Sequence, residues 1–195
     1  QWDNTLIIFS ADHGTYLGDH YLTGKPHYFD SALRVPLILR DPSPGADVTR
    51  GKTLAPFCEA IDLAPSICAF LGLPAHQRFQ GKNLIGAVRG DTATDRPDEI
   101  HYEFYYYNML PETDGLNPEA CRLWLLRDRR WKYVQFGEES LPPILFDLEN
   151  DPNEFENLAD RPEYAPIVAQ CCQRLIRWRI RNEDTRMEQW ARPYR

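Results

Sequence analysis

An uninterrupted apolar run, Thr5-Leu6-Ile7-Ile8-Phe9, closes within a few residues on an adjacent carboxylate and imidazole, Asp12-His13. A run without polar alternation suits a strand buried on both faces of a parallel sheet better than a strand with one wet face. Such a strand needs neighbours. Val35-Pro36-Leu37-Ile38-Leu39 offers a second run, and Pro36 places it at the entrance or the edge of a sheet. Ionisable groups at the mouth of a buried strand are costly to desolvate unless a metal, a counter-charge or a substrate compensates. In open α/β sheets ligands gather beyond the carboxyl ends of strands, where Asp12 with His13 makes a reasonable ligand pair for a divalent cation. The dipeptide taken alone reads first as a capped turn with a satisfied imidazole, ahead of a ligand pair.

Farther along, Ile61, Ala64, Ile67, Cys68 and Leu71 recur at helical spacing, and Gly72 with Pro74 supplies a stop, so residues 59–71 are expected to form a helix packed on the sheet. Residues 86–99 are rich in Gly, Asp, Thr and Pro and mark a boundary, dividing the chain into domains 1–90 and 91–195. Beyond it lie short β-prone runs, His101–Tyr107, Leu123–Leu126, Trp131–Phe136 and Ile144–Leu148, separated by turns, as in an antiparallel sheet. A last periodic stretch over 162–181 places Ile167, Cys171, Leu175 and Trp178 on one face of an amphipathic helix. The fold class is therefore α/β, with a small antiparallel sheet and a C-terminal helix.

Asp147, Glu149, Asp151 and Asn153 alternate like a calcium loop, but Pro152 replaces the sharp-turn glycine and Leu158 the bidentate glutamate, leaving a strand end and a turn. The aromatic stretch Tyr102 to Tyr107 reads as strand packing. Arg174, Arg177, Arg179 and Arg181 read as a solvated helix face. With 29 acidic against 22 basic residues, the net charge of -7 repels phosphate backbones and anionic membrane surfaces, and neither partner is expected. No apolar window approaches the length of a membrane span. A small anionic substrate then needs a local positive site. Five cysteines, without CxxC spacing, make neither a disulfide framework nor a zinc site and point to a reducing, cytoplasmic compartment. A homo-oligomer is compatible with all of this.

The run IFSADHGTYLGDHYLTGKPHYFDSALRVPLILRDP resembles the sulfatase family of the alkaline phosphatase superfamily, within it most the phosphonate monoester hydrolase and arylsulfatase branch. A strand, an Asp-His-Gly turn, a Leu-Gly-Asp-His segment, a Gly-Lys and an Arg-Val-Pro-Leu strand follow one another as that family has them. IDLAPSICAFLGLP, FQGKNL and LFDLENDPNEFENLA extend the likeness over most of the chain. The resemblance implies that Asp12 and His13 are two ligands of a divalent metal ion (Ca²⁺, or Mn²⁺ or Zn²⁺). It implies that Lys25 contacts the sulfate or phosphoryl oxygens of a small anionic ester. His20 belongs to the same motif and is expected to line the pocket, with a loop-stabilising hydrogen bond as its equal alternative. His27 and Asp30 are weaker candidates, and Arg34 reads as a structural ion pair.

The resemblance also implies a formylglycine nucleophile, made from a Cys/Ser-x-Pro-x-Arg motif, and further metal ligands near the family's N-terminus. Neither is present here: Cys58 precedes Glu59-Ala60-Ile61 and Cys68 precedes Ala69-Phe70-Leu71. The expectation is therefore the C-terminal fragment of a metal-dependent hydrolase of sulfate esters or phosphonate and phosphate esters, inactive without the missing segment. A non-catalytic binding or interaction domain that retains the fold is the alternative.

Overall fold

The apolar run becomes strand β1 (Ile7–Ser10), which pairs antiparallel with β2 (Leu37–Arg40), Ile8 opposite Leu39 and Ser10 opposite Leu37. The computed structural model describes residues 1–91, 98–107 and 115–182. Among them the expected parallel partner of β1 is absent, and Phe9 and Ile38 are 58% and 62% exposed. The reason is physical: apolarity reports what a strand can be buried in, and says nothing of which way its neighbour runs. Pro36 does fall just before β2, where its missing N–H costs no ladder bond. Between the strands, α1 (Asp30–Leu33) is a single turn that buries Ala32.

The helix expected over 59–71 forms as a 3-10 turn, Ala60–Asp62, continued by α2 (Leu63–Phe70). Gly72 closes it at φ +69, and the Leu73 N–H reaches back to the Cys68 carbonyl. Its buried face is not the expected one. Ile61, Ile67 and Leu71 are exposed, whereas Asp62, Pro65 and Ser66 are buried. Backbone N–H groups explain the exchange. Asp62 accepts from the Glu59 and Lys82 amides at 2.9 and 2.6 Å, and Ser66 Oγ accepts from the Leu84 amide at 2.8 Å. Buried polar atoms satisfied in this way cost little and tie the approach to α3 (Ile85–Val88) onto α2.

The chain divides into two units, Gln1–Ile100 and His101–Arg195. Of the boundary expected at 86–99, the start lies in and just after α3, and residues 92–97 fall outside the described residues. The second sheet has the order β3-β4-β5-β6, with β3 (Glu99–Tyr105), β4 (Arg122–Asp128), β5 (Trp131–Phe136) and β6 (Ile144–Asp147). Leu125 faces Val134, and Tyr133 faces Leu145, in antiparallel register. Helix α4 (Ala165–Asn182) lays Cys171 and Leu175 into a core with Leu126, Tyr133, Leu145 and Leu158. Trp178 stacks on His101 with ring centroids 4.3 Å apart.

Two arginines correct the solvated-face expectation for α4. Arg174 meets Asp128 at 2.6 Å and Arg179 meets Glu103 at 2.9 Å, so these cations fasten the helix to the sheet. A further ion pair is fully buried: Lys132, on β5, reaches the carboxylate of Glu154, which follows the β6 turn at φ +61. At the end of β6, Asp147 takes the Arg130 guanidinium at 2.8 Å, which holds its carboxyl below the usual range against the opposing effect of burial. Among the described residues no helix is long and apolar enough to cross a membrane.

Candidate functional site

Asp12 and His13 sit two and three residues past the end of β1. The turn that carries them is seated on α1: the Gly14 N–H donates to the Ala32 carbonyl at 2.8 Å, and a Cβ at Gly14 would come within 2.1 Å of the Ser31 carbonyl oxygen. Only a residue without a side chain permits that approach. Asp12 is fixed by its own turn, its Oδ1 accepting the His13 backbone N–H at 3.0 Å, and its side chain is 85% exposed.

Hydrogen bonding decides the state of His13. Its Nδ1 lies 2.7 Å from the Gly14 carbonyl oxygen, which can only accept, so Nδ1 carries the proton of the neutral ring. Nε2 then presents a lone pair, and the Lys25 ammonium donates to it at 2.7 Å. Asp12 Oδ2 approaches the same nitrogen at 3.3 Å. In this tautomer that contact is no salt bridge, because both atoms offer lone pairs. The ammonium beside them offsets the repulsion.

Lys25 reaches this point through a compact loop. The Gly24 carbonyl accepts from the Tyr16 amide at 2.8 Å and from Thr15 Oγ1 at 3.1 Å, and Gly24 itself takes φ +77. Tyr16 is fully buried, and its hydroxyl accepts the Phe29 amide at 3.3 Å. Ser31 Oγ donates to Asp19 at 2.6 Å, which pins the tip of the loop to α1. Leu17, His20, Tyr21 and His27 all hold positive φ, a conformation that costs a side-chain-bearing residue of order 1–3 kcal/mol and persists only where the surroundings enforce it.

The structure thus brings three of the four residues singled out from sequence, Asp12, His13 and Lys25, to one point. His20 is seated differently: its ring stacks on Phe29, centroids 3.6 Å apart and 7° from parallel. His27 is half-buried beside Tyr16 and Tyr28, and burial pushes its pKa down. The positions that sequence reasoning missed are Gly14, Thr15 and Ser31, which carry no charge and act through backbone approach and loop bonds. Among the described residues no three His, Cys, Asp or Glu side chains converge as a complete metal cage. Asp12 and His13 nevertheless fit one side of a divalent cation's shell. The carboxylate is a hard oxygen donor, and the imidazole keeps its lone pair on Nε2 with its Nδ1–H fixed on a carbonyl, the arrangement that orients a metal-ligating histidine.

The α/β fold carrying this site is that of the alkaline-phosphatase-like hydrolases. The chain superposes on the phosphonate monoester hydrolase of Agrobacterium radiobacter with a TM-score of 0.84 at 35% identity, over 94% of this chain and 36% of that one. For the enzyme from Silicibacter pomeroyi the TM-score is 0.82 at 32% identity, with the same coverage. In sequence it is 38% identical over 188 residues to the multifunctional alkaline phosphatase superfamily protein PehA of Trinickia caryophylli, covering 94% of this chain and 36% of that protein. Residues 18–181 match the family model described as N-sulphoglucosamine sulphohydrolase, C-terminal, and the chain belongs to that family. It spans about a third of the length of these relatives.

Proposed function

We propose that this chain supplies part of the active site of a metal-dependent hydrolase of sulfate esters or of phosphonate and phosphate esters. The observation that carries this reading is the meeting of Asp12 Oδ2, His13 Nε2 and Lys25 Nζ at one solvent-accessible point beyond a strand end. The kinship with phosphonate monoester hydrolases and, at 29% identity, with the choline-sulfatase of Rhizobium meliloti supports the substrate class. A divalent cation, Ca²⁺ or Mn²⁺ or Zn²⁺, when bound, polarises the ester and lowers the pKa of the oxygen nucleophile. Asp12 contributes anionic charge to hold that cation. His13 contributes a neutral nitrogen whose orientation the Gly14 carbonyl fixes.

Lys25 meets the non-bridging oxygens and neutralises the charge that moves onto them as the bond to the leaving group breaks. His20, steadied by Phe29, lines the wall of the pocket. The nucleophile in this reading is a formylglycine outside the 195 residues, which makes the chain by itself inactive. The substrate is a small anionic ester.

The test is elemental analysis of the protein expressed from its natural gene. Asp12→Ala, which removes a charged ligand, loses metal occupancy. Asp151→Ala, in the turn after β6, keeps it. Parental occupancy in Asp12→Ala would refute the assignment. A second reading, a non-catalytic domain that keeps the fold, is favoured by the lack of a third ligand among the described residues. It requires that no Cys/Ser-x-Pro-x-Arg motif accompany this sequence in its gene.

A further inference from the structure

An imidazole nitrogen has one in-plane lone pair, and in this structure two functions of the site need the same one. With Nδ1 committed to the Gly14 carbonyl at 2.7 Å, His13 can accept or coordinate only through Nε2. That nitrogen already accepts the Lys25 ammonium at 2.7 Å. It can take one ammonium or one cation, and not both at once.

Resting on the metal reading above, we infer that Lys25 is a built-in competitor for the metal site. Its ammonium caps His13 Nε2 and offsets the lone-pair repulsion from Asp12 Oδ2 at 3.3 Å. It must leave that nitrogen before His13 can coordinate a cation. Departure costs one charge-assisted hydrogen bond and little else, because Lys25 is exposed and its backbone is held by Gly24 independently of where the ammonium points. The displaced ammonium is then the cation available to an anionic ester. Metal and anion therefore support each other: each favours the state in which Lys25 is off His13, and such coupling is reciprocal. A conformational competitor lowers apparent metal affinity by the fraction of time it vacates the site.

The experiment uses the protein expressed from its natural gene, stripped of metal by chelation, with Mn²⁺ as the probe. Parent, Lys25→Met and Asp12→Ala are compared by titration and stopped-flow, with melting curves to confirm folding. Lys25→Met is expected to bind Mn²⁺ on the order of 10- to 100-fold more tightly, the scale of one hydrogen bond to a charged group. The gain resides in faster association, with dissociation unchanged. In the metal-free protein, ¹⁵N NMR finds His13 as the Nδ1–H tautomer, and its Nε2 resonance moves in Lys25→Met. Equal Mn²⁺ affinity overturns the inference. So does a gain lying wholly in slower dissociation, which reports relief of repulsion in the loaded site. An unmoved Nε2 resonance also overturns it. Failure of the parent reading looks different, because Asp12→Ala then binds Mn²⁺ as the parent does.

Discussion

Deleting the ammonium of Lys132 takes the counter-charge from a carboxylate where there is almost no water. Lys132 is 0% exposed and its partner Glu154 is 3% exposed, in a sheet whose neighbours Leu125, Val134 and Leu145 are fully buried. Removing one partner of such a pair costs about 3–5 kcal/mol, because the remaining charge keeps its desolvation penalty and loses its counter-charge. For a chain of this size each kcal/mol moves the thermal midpoint by roughly 2–4 °C, so Lys132→Met is expected to melt about 6–20 °C below the parent. Lys132→Met combined with Glu154→Gln removes both charges and keeps the side-chain shape at the left-handed position 154. It therefore recovers most of the loss. Thermal unfolding of parent, both single variants and the double variant completes the cycle. A Lys132→Met midpoint within about 2 °C of the parent, or a double variant no better than Lys132→Met, would show that the pair is not the buried ionic contact described.

Asp147 binds a proton less readily when folded, because Arg130 favours its carboxylate over the opposing effect of burial. Its contribution is therefore present above the ordinary carboxyl pKa and lost as pH falls through the lowered folded value. Urea midpoints of Asp147→Asn are expected to fall below the parent's at neutral pH and converge with them under acid, and curves that stay parallel would contradict this. At full metal loading, Lys25→Ala in the protein from its natural gene should lose on the order of 10² to 10³ in turnover, while melting closer to the parent than the cavity variant Leu125→Ala. Near-parental turnover would remove Lys25 from the reaction.

Which parts of the molecule were legible in sequence depends on where each residue's partner lies. The face of α4 was readable because Ile167, Cys171 and Leu175 follow the helical period and meet a sheet in the same unit. The face of α2 was not. Ile61, Ile67 and Leu71 carry the same period, yet the contacts that orient the helix are made by Asp62 and Ser66 to amides 18 to 20 residues away. No local pattern encodes those bonds. Asp12 and His13 announced themselves as charges at a strand end. The return of Lys25 to His13 relies on left-handed backbone at His20 and Tyr21 as well as at Gly18 and Gly24, so glycine alone could not have traced the loop. Lys132 had no signal at all, since a lysine in a strand ordinarily faces water.

Gly14 sets the terms on which this site could be moved or evolved. Its φ is not left-handed, so the requirement is one of space: the turn bearing Asp12 and His13 is gauged directly against the Ser31 carbonyl. In a saturation library that position would be nearly blank although it contributes no functional group. A designer who copies the Asp-His-Gly motif into another scaffold would inherit the ligands without the gauge. The portable module is two separate stretches, 12–25 and 29–32, one holding the chemical groups and the other the surface that tells them where to stand.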